Sequence, residues 1–363
     1  MERTNSGIGG LKVDTYDLDF RNDLDFGDAG LFQWGVGWRQ ITGREAGDVM
    51  LTSVRKRETD LYHGFAQYEV GLFDDLLSLT VGSKYEHNDY TGSEFQPNLR
   101  LALDTGEGTL WTAVSRTVRT PTRFETDVDV LLGVDTCALA CAPLPPFSLV
   151  AIHGVGSESL DSEELVSLEA GYKHHFGEKV YAEVAAFYNE FKDIIEIDQA
   201  GATTGIGFVP FLHYQTDVPM NNIIDSNIWG GEANIEWQAL DWWKLGGNYS
   251  YAKIRIKEAG LTGFTSGEGS APRHQVKFIS NADLLKNLSL DVMLYYIDEI
   301  KDQPSVSSRY DLDIRLAWRP NGNMEISLIG QNLFYNEKNQ MEQFLFLGTA
   351  TKRNGYLQVK WEF

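Results

Sequence analysis

The chain has 363 residues, 42% of them hydrophobic and 12% aromatic, with 35 Gly against 10 Pro and a formal charge of -21. That composition excludes a disordered chain, and the negative field excludes nucleic acid as a partner. No run of 18 apolar residues occurs, so a membrane-spanning helix is excluded, but a strand that crosses a membrane by alternation is not.

The amino terminus, Met1-Glu2-Arg3-Thr4-Asn5-Ser6-Gly7, leads into no apolar signal segment. The first clear element follows. Tyr16, Leu18, Phe20, Leu24 and Phe26 alternate with Asp17, Asp19, Arg21, Asp23 and Asp25. A strand places these two sets on opposite faces. Read as a calcium loop starting at Asp17, the stretch puts Asn22 and Asp28 where Gly and Glu are required, so the aspartates are expected to line a polar face instead. Period-two patterns then recur near 31–41, 60–73, 76–88, 95–104, 109–118, 163–175, 179–198, 228–238, 241–257, 272–284, 287–298, 309–319, 323–333 and 354–363, making about 15 strands with the first.

Their connections sort by length. Gly27–Gly30, Asp74-Asp75, Thr105–Gly108, Gly177-Glu178, Ala239-Leu240, Leu285-Lys286 and Pro320-Asn321-Gly322 are short. The segments near 42–59, 89–94, 119–162, 199–227, 258–271, 299–308 and 334–353 are long and alternate with the short ones. A sandwich or propeller has no reason to sort its loops this way. An outer-membrane barrel does, with short periplasmic turns and long extracellular loops.

The expected fold is therefore all-β, an antiparallel transmembrane β-barrel forming one domain over 1–363. The last strand supports it: Leu357, Val359, Trp361 and Phe363 share one parity, and Gln358, Lys360 and Glu362 the other. An apolar edge of that kind invites aggregation in water and is at home in lipid.

Four stretches resemble TonB-dependent outer-membrane receptors. Gly330-Gln331-Asn332-Leu333-Phe334 resembles that family's G-x-N-L-F element. Arg116, Arg119 and Pro121 match its R-x-x-R-x-P element, and Glu169, Gly171 and Tyr172 its E-x-G-Y-K strand. The terminal strand through Phe363 is the fourth, and the set stands in the family's order over about 100–363.

The resemblance implies a barrel of about 22 strands enclosing a plug. Against that pattern this chain reads as a carboxyl-terminal barrel portion without plug or Ton box. It implies residence in a Gram-negative outer membrane amid lipid and lipopolysaccharide, with long loops extracellular and the carboxyl terminus periplasmic. The implied function is uptake of a scarce small-molecule nutrient, most often a ferric siderophore, energised by TonB only through the plug. A passive channel and an outer-membrane enzyme are the alternatives. No catalytic fingerprint occurs, and neither a cofactor nor a metal is called for.

Candidate ligand contacts are Arg119 and Arg123, where a strand leaves the membrane, and an aromatic loop cluster of Phe208, Phe211, His213 and Tyr214. Each has a plainer reading. The arginines fit salt bridges to Glu125, Asp127 and Asp129, and the loop residues fit solvated positions. The tryptophans near strand ends fit an interfacial girdle. Cys137 and Cys141 allow a local disulfide or two unpaired thiols.

Overall fold

The computed structural model describes residues 2–3, 10–46, 52–137, 148–207, 213–258, 267–302, 306–334, 337–341 and 349–362. Among these, fifteen wall strands run as one antiparallel meander. They are β1 Gly10–Asp25, β2 Leu31–Ala46, β3 Lys56–Leu72, β4 Leu77–Asn88, β5 Gly92–Asp104, β6 Gly108–Arg119, β7 Glu163–Phe176 and β8 Val180–Ile197. The wall continues as β9 His213–Leu240, β10 Trp243–Glu258, β11 His274–Leu285, β12 Leu288–Ile297, β13 Arg309–Asn321, β14 Met324–Gln331 and β15 Asn354–Trp361. Each pairs with the next in register, from Asp17↔Arg39 between β1 and β2 to Leu328↔Leu357 between β14 and β15. The expected strands are all present, although β9 begins fifteen residues before its expected start at 228.

Alternation assigns the two faces. Cross-strand neighbours Leu168, Tyr188, Trp229 and Lys253 share one face with Val184, Ala233 and Tyr249. Large apolar side chains on this face stay exposed, among them Leu18, Val184, Ile235, Trp237, Leu328 and Val359. The opposite face is polar, and several of its residues are buried beneath longer side chains: Glu86, Ser167, Ser289 and Ser327. A water-soluble fold buries its apolar residues; this inverted arrangement is the one lipid requires.

Charge pairing organises the polar face. Arg39 Nε donates to Asp17 Oδ2 at 2.7 Å. Arg315 lies 2.8 Å from Asp291 and 2.5 Å from Glu325, whose other oxygen takes Arg319 at 2.9 Å. Asp17, Asp19, Asp23 and Asp25 of β1 thus sit on the polar face, while Asp14 has the parity of Tyr16 and Leu18.

The two rims differ as expected, with one correction. The connection between β4 and β5 is only 89–91, because β5 begins at Gly92, three residues before its expected start at 95. Asn88 makes the turn possible: its Oδ1 accepts the N–H of Tyr90 and of Thr91, each at 2.9 Å. At the other rim, Phe73, Asp74 and Asp75 have φ of 56°, 53° and 64°, the left-handed geometry that a tight hairpin between right-twisted strands needs.

Three expected loops contain strands; in 334–353, Glu337–Met341 pairs antiparallel with Thr349–Lys352. In 119–162, Arg123–Asp127 forms a one-turn helix (α1), followed by strands Asp129–Cys137 and Ser148–Val155. In 199–227, Thr203–Gly207 forms a strand that pairs with the first residues of β9. Ser148–Val155 pairs antiparallel with Asp129–Cys137 and parallel with Tyr214–Pro219. The result is a four-stranded outer sheet standing on the long-loop rim. Continuous β9 joins this sheet to the wall, its 28 residues spanning roughly 90 Å of chain.

β1 and β15 have wall partners on one side only among the described residues, and most of β1 and all of β15 are exposed on both faces. Fifteen antiparallel strands make β1 and β15 run in the same direction, so joining them directly would create a parallel pair. In a Cys137→Ser/Cys141→Ser background, Phe20→Cys should therefore form a disulfide with Val36→Cys, its register neighbour, and none with Val359→Cys. Non-reducing gels of the folded chain in detergent would read this, and an efficient bond between the cysteines placed at positions 20 and 359 would contradict the register.

Candidate functional site

The chain leaves the wall after β6 through Thr120-Pro121-Thr122 and turns into α1. Pro121 cannot continue the ladder, and Thr122 caps the helix. The cap is reciprocal: Glu125 N–H donates to Thr122 Oγ1 at 3.3 Å, and Thr122 N–H donates to Glu125 Oε2 at 2.7 Å.

Arg119, at the end of β6, grips this turn. Its Nη1 and Nη2 donate to the two Glu125 oxygens at 3.0 and 2.9 Å, and its Nε donates to Glu163 Oε2 at 2.7 Å. Nη2 also donates to Glu163 Oε1, which accepts the Ile195 N–H at 2.9 Å. Every nitrogen of the guanidinium is thus engaged with two carboxylates. Arg119 ties β6, β7, β8 and α1 together and has no free donor edge for an anion.

Burial alone raises the Glu125 carboxyl, but Arg119 and the Thr122 N–H and hydroxyl outweigh it and hold Glu125 below the usual carboxylate range.

A second centre lies one helical turn on. Asp127 is 1% exposed. Its Oδ1 lies 2.7 Å from Arg57 Nη2, at the start of β3, and its Oδ2 lies 3.5 Å from Arg123 Nε. Arg57 also reaches Glu158 at 2.9 Å and stacks over the Tyr90 ring at 5.8 Å. Arg123 Nη2 donates to Val54 O at 2.6 Å. Backbone contacts complete the clamp: Ser53 N–H donates to Asp127 O at 2.6 Å, and Thr52 bridges Val128.

Gly43 of β2 leaves the space this requires, since a Cβ there would stand 2.7 Å from Arg123 Nη1. Arg123 thus reaches across to a strand four places away in the wall, so the sheet bends around its polar face. Beside the clamp is a cavity of about 320 Å³ bordered by Arg39, Arg57, Tyr90, Thr122 and Arg123. The Nε and Nη1 of Arg123 are buried without hydrogen-bond partners.

The sequence-predicted contacts separate into two places. Arg119 and Arg123 stand at the base of the outer sheet. His213 and Tyr214 stand at its tip, where Tyr214 pairs with Val150 and Ile206. Val150 lies five residues, or ~17 Å, from Val155 at the base. His213 and Tyr214 are thus strand residues rather than coil, because both edges of their segment find partners. Phe208, Phe211 and Cys141 lie outside the described residues, as does Phe363; Cys137 ends an outer strand.

The motif residues have structural roles. Arg116 faces outward with Glu164 at 2.8 Å. Glu169 accepts the Ser167 hydroxyl at 3.0 Å. Gly171 lies under the Trp111 ring, 2.7 Å from a would-be Cβ, and the Tyr172 hydroxyl meets His174 Nδ1 at 2.9 Å. Asn332 takes φ 53°, which asparagine tolerates, and its N–H donates to Asp313 Oδ1 at 2.9 Å. Leu333 packs against Gly330, and Phe334 is exposed. Sequence reasoning missed Arg57 and Tyr90 as site residues. Neither lies in a motif, and only the curvature of the wall brings them to α1.

Two outcomes are expected. Asp127→Asn leaves two guanidinium groups facing an uncharged partner, a loss of about 3–5 kcal/mol for a broken buried pair. Limited proteolysis of 119–162 should begin at a lower temperature while the wall stays resistant. Glu125 has a depressed pKa, so its contribution is present above the ordinary carboxylate range and lost as pH falls through the depressed value. Protease protection of the same segment should therefore fade on acidification in the wild type and much less in Glu125→Gln, which should start weaker.

Known proteins share this architecture. Residues 2–333 match the family model for TonB dependent receptor-like β-barrels. No curated protein sequence matches. Among solved structures, the siderophore receptor PirA from Acinetobacter baumannii superposes with a TM-score of 0.76 at 13% identity, covering 98% of this chain and 55% of its own. A substituted form of the ferric enterobactin receptor PfeA from Pseudomonas aeruginosa gives 0.72 at 15% identity, with 98% and 54% covered. The FrpB iron transporter from Neisseria meningitidis gives 0.71 at 12%, with 98% and 56% covered. The chain thus spans about half the length of the receptors it resembles, and those receptors transport rather than catalyse. With its alternating wall, its clamped outer sheet and a family match over most of its length, this chain belongs to the TonB-dependent receptor-like β-barrels, a family of outer-membrane receptors.

Proposed function

We propose that this chain forms the wall and outer sheet of a receptor that imports a scarce nutrient, and that the nutrient is an iron–siderophore complex. The observation that carries the reading is the outer sheet held over a polar-faced wall by the Asp127 and Arg119 clamps. Clamping of this kind costs ordering entropy and suits a preformed ligand platform better than a passive mouth. The structural neighbours, a siderophore receptor, a ferric enterobactin receptor and an iron transporter, support the choice of solute.

In this reading the long-loop rim faces the extracellular side and β15 runs toward the periplasm. Lipid and lipopolysaccharide surround the apolar face. Energy from TonB acts on the complete receptor through its plug. The tip residues His213 and Tyr214, with Phe208 and Phe211, make the first contacts with the ligand. Arg123, beside the cavity, offers positive charge through Nη1, which has no hydrogen-bond partner, while its Nε faces Asp127 at 3.5 Å. Arg119 positions α1. The alternative of a passive channel calls for an even-numbered closed wall, and fifteen described wall strands, with no pairing of β1 to β15 among the described residues, lend it no support.

Titration of the detergent-solubilised chain with ferric catecholate and hydroxamate siderophores, followed by tryptophan fluorescence, tests this. Saturable quenching by one ferric class, weakened severalfold by H213A/Y214A, is expected. Binding of cobalamin or an oligosaccharide but of neither iron complex would overturn the choice of solute.

A further inference from the structure

The two long connections that carry the outer sheet are acidic and contain no lysine or arginine. Between Arg123 and Lys173, and again between Lys192 and Lys244, the sequence holds neither residue. The strands Asp129–Cys137, Ser148–Val155 and Thr203–Gly207 and the first residues of β9 all fall within these stretches. Their charged residues are Asp129, Asp135 and Asp217. Asp129 faces His153 at 3.1 Å, and Asp217 accepts the Gln215 amide at 2.7 Å. The arginines of the clamps are already committed, Arg57 and Arg123 to Asp127 and Arg119 to Glu125 and Glu163.

Within the wall, the polar face of β8–β12 sinks into a recess of about 560 Å³. It reaches Gln275 and Ile297, at the long-loop ends of β11 and β12, and it is hollow because the short side chains of Ala185 and Ser250 stand among longer ones. Its polar lining includes Glu183, Glu232, Asn234, Asn248 and Lys277. The Asn248 amide donates to Asn234 Oδ1 at 2.7 Å, and Glu183 accepts the Tyr181 hydroxyl at 2.8 Å. Lys277 stands 5.6 Å from the Tyr295 ring centroid. Neither Glu232 nor Lys277 forms an ion pair among the described residues. The lining thus sets Glu183 and Glu232 against Lys277 alone. Around it on the same face, Lys173 and Arg309 are outnumbered by Glu169, Asp311 and Asp313.

A solute that passes the outer sheet and settles in this recess meets negative charge at both places. Ferric siderophores differ in sign by their chelating groups. Six phenolate oxygens leave a ferric tris-catecholate strongly anionic, whereas three hydroxamates balance iron(III), and a pendant amine makes the complex cationic. Like charge along the entrance slows encounter and costs affinity, so acids left without cations discriminate against an anionic solute. Arg123 does not reverse the sign. It shares Asp127 with Arg57, which also holds Glu158, and its remaining Nη1 donor suits a neutral carbonyl oxygen. We propose, on the siderophore reading above, that the ferric complex admitted by this chain is a neutral or cationic trihydroxamate rather than a tris-catecholate, and that Glu183 and Glu232 favour the cationic form.

The test is titration of the chain in neutral detergent micelles with three probes, read by tryptophan fluorescence. They are a linear ferric trihydroxamate with a free terminal amine, the same complex N-acetylated, and a ferric tris-catecholate. The amine form should bind severalfold more tightly than its acetylated twin, and at least about tenfold more tightly than the tris-catecholate, with both gaps shrinking at high salt. E183Q/E232Q should erase the gap between the two hydroxamates, and E232Q alone, at an exposed position, should narrow it while keeping the strand signature in circular dichroism. E58Q, on the outward face, should leave all three affinities unchanged. Saturable binding of the tris-catecholate as tight as that of the hydroxamates would overturn this inference and leave the siderophore reading standing. Equal binding of the amine and acetylated forms, or a gap between them that survives E183Q/E232Q, would overturn the role given to Glu183 and Glu232. Binding of no ferric complex would overturn the siderophore reading and this inference together.

Discussion

The structure depends on one constraint: in lipid, every backbone N–H and C=O must find its partner within the protein. The antiparallel ladder satisfies it strand by strand, and the rest follows. Pairing in register carries alternation from β1 to β15, so that a Tyr188 on β8 is met by a Trp229 on β9 and the apolar face never breaks. The polar face is equally continuous, and there charged side chains are held in pairs such as Arg39 with Asp17 and Arg315 with Asp291. A net charge of -21 is tolerable because much of the acid is either paired on this face or placed in the rims.

Beyond the membrane the constraint relaxes, and the chain solves its problem differently. The long connections have water to satisfy their backbone, so they need another reason to be ordered. Part of the answer is the outer sheet, which borrows β9 as its scaffold. The rest is the pair of arginine–carboxylate clamps around α1. Asp127 draws in Arg57 and Arg123 from segments far apart in sequence, while Glu125 and Glu163 share Arg119. A one-turn helix has little stability of its own. Its capping box and these ion pairs hold it, and it in turn anchors the outer strands through Val128 and Asp129.

This division explains what could be read from the sequence. The wall was legible because period-two alternation is imposed by the environment on every strand: Tyr310, Leu312, Ile314, Leu316 and Trp318 state their face without help from distant residues. The outer sheet was not. Residues 129–137, 148–155 and 203–207 face water on parts of both sides, so alternation weakens, and 213–227 continues β9 without a turn signal to mark where membrane ends and solvent begins. At the site, Arg119 is marked by its motif, and Glu125, six residues on, is a partner the sequence itself offers. The convergence of Arg57, Tyr90 and Gly43 on Arg123 was invisible because it depends on the bend of the sheet, a property no local pattern encodes. The loop at 89–91 was overestimated for a local reason, since the Asn88 side chain replaces several residues of turn.

The common direction of β1 and β15 limits how a wall of this kind can change. Loops on each rim keep their place only if strands are gained or lost two at a time. Deleting one strand would send every later connection to the opposite side of the membrane, and with it the Asn332 corner and the β15 terminus. Duplication or loss of a whole hairpin leaves that sidedness intact and alters only the circumference. Pore width in such walls is therefore expected to vary in steps of one hairpin, while the outer sheet, joined to the wall through β9 and the α1 clamps, can be remodelled between those steps.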